Sequence, residues 1–400
     1  MIRITQLIFF SLLLSLYSLR IEAQHERTQY PFFLSNNTYF EGSVSYINYR
    51  FSNLQMENGF TAESIYIPQP GVRLMLYGYR FNKKLSGQIS YLRPVFWVQY
   101  KNINGDQTSH SMPTNVAGIT LKYRSQIKKR VSIYGETGLG IITRSGFSIN
   151  NIPVIKNANF LTFLFSGGLE YRLKNKLNFV AGLGWSPGKA TVNQPATIFA
   201  SAGFTSNIQK LTEAKVAENK KSGNKFPANL LQVGYTSNFL GYGVNNFFSN
   251  KIFPIFWGGD VEVKKGISIH YQRNIFHGRK VFSLDWGASF SYWKSKVKNE
   301  GFYTISLFPL VRFTAFHFNK ADLYFNYSVA GPTFISKVRV DNNKIGKKFT
   351  FQDFMGMGIN TGKQRKINAE IRIAHYSNGN LFPDNNGVKI PLTFNMGFVF

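Results

Sequence analysis

No cysteine occurs among the 400 residues, which excludes a disulfide framework, thiolate metal sites and cysteine nucleophiles. Beyond the N-terminal two dozen residues, no stretch approaches the roughly 18 uninterrupted apolar residues that a membrane-spanning helix needs. Acidic side chains are scarce, with 19 Asp and Glu against 47 Lys and Arg, for a formal net charge of +28. The six histidines are scattered, and neither a His-Glu-x-x-His helix nor a glycine-rich phosphate loop is present. No metal and no cofactor is therefore expected.

The chain is rich in aromatics, with 39 Phe and 21 Tyr, and in glycine. Its start reads as a secretory signal peptide over residues 1–23: Arg3, an apolar run from Leu7 to Leu19, then Ala23 before Gln24. An exported chain with many aromatics and no helical span points to an all-β fold, an antiparallel transmembrane β-barrel in a bacterial outer membrane. Export also argues against nucleic acid as the partner of the basic charge. Most of that charge reads as solvated turns and loops.

Strand alternation supports a barrel. Leu161, Phe163, Phe165, Leu169 and Tyr171 share one face, and Thr162, Ser166, Glu170 and Arg172 the other. Phe282, Leu284, Trp286, Ala288 and Phe290 alternate in the same way with Ser283, Asp285, Gly287 and Ser289. Short basic turns recur at Asn82-Lys83-Lys84, Lys128-Lys129-Arg130 and Lys174-Asn175-Lys176, then at His277-Gly278-Arg279-Lys280, Asn319-Lys320 and Thr361 to Lys366. Each interval holds two strands and a longer loop, which predicts two tandem eight-stranded units, residues 24–207 and 228–400. They are joined by a polar connector over residues 208–227. A single sixteen-stranded barrel is the alternative.

The last strand, with Leu392, Phe394, Met396, Phe398 and Phe400 on one face, ends on a terminal Phe that resembles the signal read by the barrel-assembly machinery, a pattern that an ordinary closing strand shares. Gly184-Trp185-Ser186 can be laid beside His375-Tyr376-Ser377. This suggests a duplication whose first copy has glycine in place of the base and is not catalytic.

The chemistry concentrates in Ala374-His375-Tyr376-Ser377-Asn378-Gly379-Asn380 and the following Pro383-Asp384-Asn385-Asn386-Gly387. On a strand, His375 and Ser377 share a face. A serine hydroxyl needs such a neighbouring base to become a nucleophile. This His-x-Ser-Asn stretch, with its Asn-rich tail, resembles the lipid A 3-O-deacylase (acyloxyacyl hydrolase) family of outer-membrane esterases. The resemblance is specific over the last 30 or so residues and architectural over the second unit. It implies Ser377 as nucleophile, His375 as general base, and lipid A of lipopolysaccharide as substrate, with an ester-linked acyl chain, most simply at position 3, as the leaving acid.

Parity sets His375 and Ser377 on the face of Ile371 and Ile373, toward lipid. Counting from Lys366, a strand tilted near 40° lifts His375 by roughly 23 Å, near the top of an apolar band about 25 Å tall. Asn378 either donates to the oxyanion or simply begins the turn. The family's acid lies in or just after the following loop, where Gly387-Val388-Lys389-Ile390 has no carboxylate. Two acids compete: Asp384 in the turn, and Asp353, which falls opposite His375 if the preceding strand folds back around Gln364. The alternative to an esterase is a non-catalytic barrel that is structural, a channel, or a binder of lipid or a partner.

Overall fold

The computed structural model describes residues 27–150, 152–174, 176–221, 225–249, 259–382 and 384–400. The expected signal peptide lies outside them. The chain forms two closed, eight-stranded antiparallel barrels. The first comprises β1 (Thr38–Tyr49), β2 (Pro70–Arg80), β3 (Leu85–Pro94), β4 (Thr114–Lys128), β5 (Val131–Arg144), β6 (Ala158–Lys174), β7 (Leu177–Ser186) and β8 (Thr197–Asn207). The second comprises β9 (Asn229–Ser237), β10 (Val261–His277), β11 (Phe282–Ser295), β12 (Gly301–His317), β13 (Ala321–Ile335), β14 (Phe349–Thr361), β15 (Ile367–Ser377) and β16 (Val388–Val399). Pairing of β1 with β8 closes one barrel and pairing of β9 with β16 closes the other, which rules out one sixteen-stranded ring. The polar connector carries helix α1 (Glu213–Lys220), capped by the Thr212 hydroxyl accepting from the Lys215 N–H.

Each basic turn named above joins two consecutive strands at one end of its barrel, and the longer loops lie at the other. The alternating residues fall as expected: Leu161 and Phe163 are exposed on the outer surface, and Ser283, Asp285 and Ser289 are buried inside. On β16, Phe394, Met396 and Phe398 face out while Thr393 and Asn395 face in.

Both bores are filled by paired charges. In the first barrel, the Arg73 guanidinium lies 2.7 Å from a Glu136 carboxylate oxygen, Thr120 donates to the same carboxylate at 2.7 Å, and Lys122 bonds Glu170. In the second, Glu370 accepts from Arg372 Nε at 2.6 Å, the Tyr324 hydroxyl at 2.8 Å, Asn326 at 2.9 Å and Gln232 at 3.2 Å. Arg312 pairs with Asp285 at 3.0 Å. An eight-stranded barrel is just wide enough to be filled in this way, and buried charges persist when each is paired and hydrogen-bonded. This packing argues against a channel.

At the short-turn end, residues before β1 tie into the second barrel. His277 N–H donates to Arg27 O at 2.7 Å, and Tyr30 packs on Phe276 with ring centroids 4.8 Å apart. Connector helix α1 joins them through Asn219 to Thr28 O at 3.2 Å and Glu218 to Arg279 at 3.0 Å.

Replacing Glu370 by leucine leaves Arg372 buried beside no carboxylate. We expect the second barrel to lose about 3 kcal/mol or more, measured as a lower temperature for loss of the folded form's distinct mobility on a denaturing gel.

Candidate active site on the outer face of β15

On β15, Asn368, Glu370 and Arg372 point into the bore, so the odd-numbered residues point out. Tyr376, between His375 and Ser377, also points in. Its hydroxyl accepts from Gln352 Nε2 at 3.1 Å and lies 3.1 Å from the Thr304 hydroxyl, which fixes the strand from behind. The outer face changes character along its length: Ile371 is 41% exposed, whereas Ile373 and His375 are buried and Ser377 is half-buried. Part of that cover comes from helix α2 (Gly243–Ser249), in the long loop between β9 and β10. It packs on β15 and β16, and Asn245 donates to Ile390 O at 2.9 Å.

The register brings Asp353 of β14 directly opposite His375, and Phe351 opposite Ser377. Asp353 Oδ2 lies 3.7 Å from His375 Nδ1. That is beyond hydrogen-bond length but within the range from which catalytic contacts tighten when substrate binds. The other carboxylate oxygen, Oδ1, accepts the Ala330 N–H at 2.6 Å. Ala330 sits in a β-bulge of β13 and adopts φ 55°, a left-handed conformation that costs a residue with a Cβ about 1–2 kcal/mol. The bulge turns this N–H toward Asp353 and fixes one carboxylate oxygen while the other faces the histidine.

Asp384 is placed elsewhere. Its Oδ1 accepts from Asn157 of the first barrel at 3.2 Å, and its Oδ2 lies 3.9 Å from Lys344 Nζ. The Asn378 N–H is taken by Asn385 Oδ1 at 2.7 Å. Its side-chain amide is fully buried, and neither amide atom has a hydrogen-bond partner among the described residues. Gly346, at φ 98°, passes so close that an added Cβ would lie 2.6 Å from Asn378 Nδ2.

Sequence reasoning missed Lys389. It pairs with His375 from the β16 side, and its ammonium lies 3.1 Å from Glu262, which also binds Lys296 at 2.7 Å. The segment 387–390 has no carboxylate, and a lone lysine in it carries no signal of its own. Ala330 and helix α2 were also missed, and no local motif announces either. Among the other histidines, His270 lies 2.9 Å from the Ser268 hydroxyl and His317 lies 3.0 Å from Asp322, both in structural contacts.

The suggested alignment of the two seventh strands does not hold. Ser186 points into the first bore and donates to Phe163 O at 2.8 Å, and a Cβ on Gly184 would meet the Phe199 ring at 2.1 Å. Leu183 and Trp185 are the outward residues. A one-residue difference in register reverses every face of a strand, so β7 presents no counterpart of His375 or Ser377.

Fold and site together define a class: an outer-membrane type of β-barrel carrying a histidine, a serine and a carboxylate on its outer surface. Residues 265–397 match the family described as lipid A 3-O-deacylase (PagL), and over that span the second barrel is PagL-like. No curated protein matches the chain. Similar solved structures include the outer membrane enzyme PagL (16% identity, 43% of this chain and 100% of that one, TM-score 0.30). Others are Neisserial surface protein A (15%, 43% and 97%, 0.29) and Ail, the attachment invasion locus protein of Yersinia pestis (16%, 42% and 98%, 0.28).

Substituting Ala330 with glycine keeps the N–H that Asp353 accepts and removes the Cβ conflict. We expect a stability gain of about 1 kcal/mol, seen as a higher temperature for the same gel-mobility transition.

Proposed function

We propose that this protein is an outer-membrane serine esterase that removes an ester-linked acyl chain, at position 3, from lipid A of lipopolysaccharide. The observation that carries the reading is the outward row across β14 and β15, in which Asp353 faces His375 in register and Ser377 follows on the same face. Polar side chains on the lipid side of a barrel are costly, and an ester inside the membrane is a fitting target for a row of them. The PagL-like span contains all three residues.

In this mechanism His375 takes the proton from Ser377 Oγ as the oxygen attacks the ester carbonyl carbon. The tetrahedral oxyanion is met by the buried, unspent amide of Asn378, since the backbone N–H of that residue is already donated to Asn385. Collapse breaks the carbonyl carbon bond to the sugar oxygen, which takes the proton back from His375 and leaves an acyl-serine. A water molecule, deprotonated by His375, then attacks the acyl carbon; collapse breaks the bond to Ser377 Oγ, which takes the proton back from His375, and the fatty acid is released. Asp353 holds the histidine with Nδ1 toward itself and Nε2 toward the serine, and it stabilises the imidazolium. No cofactor takes part.

Burial of His375 favours the second reading, a barrel with no catalysis. On the enzymatic reading α2 must shift to admit the acyl chain.

Mass spectrometry of lipid A from cells with and without the protein separates the two. We expect loss of one hydroxyacyl chain with the parent, and no loss with Ser377→Ala or His375→Ala. An unchanged acylation pattern with the parent under all growth conditions would remove the enzymatic reading.

Between the acids, Asp353→Asn is expected to lower kcat by about a hundredfold or more, as loss of an orienting carboxylate does. Asp384→Asn should leave it within about twofold, a surface-contact effect. Initial rates on purified lipid A in detergent decide between them, and the reverse ranking would assign the acid to Asp384.

A further inference from the structure

We infer that the first barrel is a docking platform for the loop after the nucleophile, and that this docking sets the position of the catalytic site. The catalytic half of the inference rests on the esterase reading above.

Three polar residues stand side by side on the first barrel at its long-loop end: Asn115 on β4, Thr143 on β5 and Asn159 on β6, paired Asn115 with Thr143 and Thr143 with Asn159. By parity they share the outer face with Ile119, Leu121, Leu139, Ile141, Leu161 and Phe163, all exposed. In the band facing lipid such a row would leave polar groups unsatisfied at a cost of several kcal/mol each.

Here the row is used. Asn115 Nδ2 donates to Asn380 O at 3.0 Å, the Thr143 hydroxyl donates to Leu381 O at 3.1 Å, and Asn159 Nδ2 donates to the same Leu381 carbonyl. Tyr91, outward on β3, reaches Gly379 O at 3.4 Å. Three successive carbonyls, those of Gly379, Asn380 and Leu381, are thus held by four strands of the other barrel.

The grip reaches the nucleophile through a short path. Asn380 Oδ1 accepts from Asn385 Nδ2 at 3.0 Å, and Asn385 Oδ1 accepts the N–H of Asn378, the residue after Ser377. On its other side the loop rests on its own barrel, with Asn386 N–H to Lys344 O at 3.3 Å and Lys347 Nζ 4.7 Å from the Phe382 ring centroid. The loop is therefore held between two barrels, and a barrel without catalytic residues gains a role as a positioning element.

The test uses the full chain, whose lack of cysteine makes Leu381→Cys a unique label site. Parent and a triple variant, Asn115→Leu with Thr143→Val and Asn159→Leu, are compared in isolated outer membranes by maleimide labelling and by lipid A deacylation. Only forms that keep the gel mobility of closed barrels are scored. Thr143→Val and Thr143→Ser alone serve if the triple variant does not fold.

We expect labelling at least about tenfold faster in the triple variant and kcat lower by about ten- to a hundredfold, the range that angstrom-scale misplacement produces. Thr143→Ser, which keeps the hydroxyl, should match the parent in both. Equal labelling in parent and variant overturns the inference, and so does faster labelling with undiminished deacylation. Faster labelling with no deacylation by any form, the parent included, supports the docking and removes the esterase reading alone.

Discussion

A side chain on a closed barrel strand has two destinations, the bore or the outer surface, and the choice alternates strictly along the chain. Everything particular to this protein follows from where polar residues are placed against that constraint. Inward ones are abundant and mutually satisfied, as in the Glu370 and Arg73 networks. Outward ones in the apolar band are few, and each carries a desolvation cost. Two groups of them stand out: Asp353, His375 and Ser377 on the second barrel, and Asn115, Thr143 and Asn159 on the first.

The two groups are built in the same manner. Each lies in register across neighbouring strands near the long-loop end, where polar groups can be satisfied by loops instead of lipid. Asp353 is held by a backbone N–H presented by the Ala330 bulge, and the first-barrel row is held by loop carbonyls. The loop after Ser377, described over residues 378–382 and 384–387, links them, passing over Asn115, Thr143 and Asn159. Tandem arrangement of two barrels thereby gives the strand that carries His375 and Ser377 an external support that a single barrel in lipid would lack.

Much of this was legible in the sequence where local rules govern. Alternation marked the outer faces because lipid selects Leu, Phe and Ile there, and the basic turns counted the strands. The placement of Asp353 opposite His375 was legible because the β14–β15 connection is short, so counting back from Gln364 fixes the register. The comparison of Gly184-Trp185-Ser186 with His375-Tyr376-Ser377 failed for the same physical reason. Equal distance from a loop does not fix parity, and Ser186 turned out to face the bore. Helix α2, the Ala330 bulge and the interbarrel row were not legible, since each depends on contacts between segments far apart in the chain with no pattern of their own.

The polar row on the first barrel bears on the choice between Asp384 and Asp353. On the docking inference, residues 384–387 serve attachment. Asp384 meets Asn157 of the first barrel, and Asn385 ties Asn380 to the N–H of Asn378. On the docking inference, the contacts of Asp384 with Asn157 and Lys344 hold its carboxylate away from His375. The orienting acid is then best supplied from a strand, where register holds it against the histidine whatever the loop does. Asp353 occupies that position, so on the proposed esterase reading two tasks fall to separate elements: the neighbouring strand orients the base, and the loop with its partner barrel steadies the nucleophile.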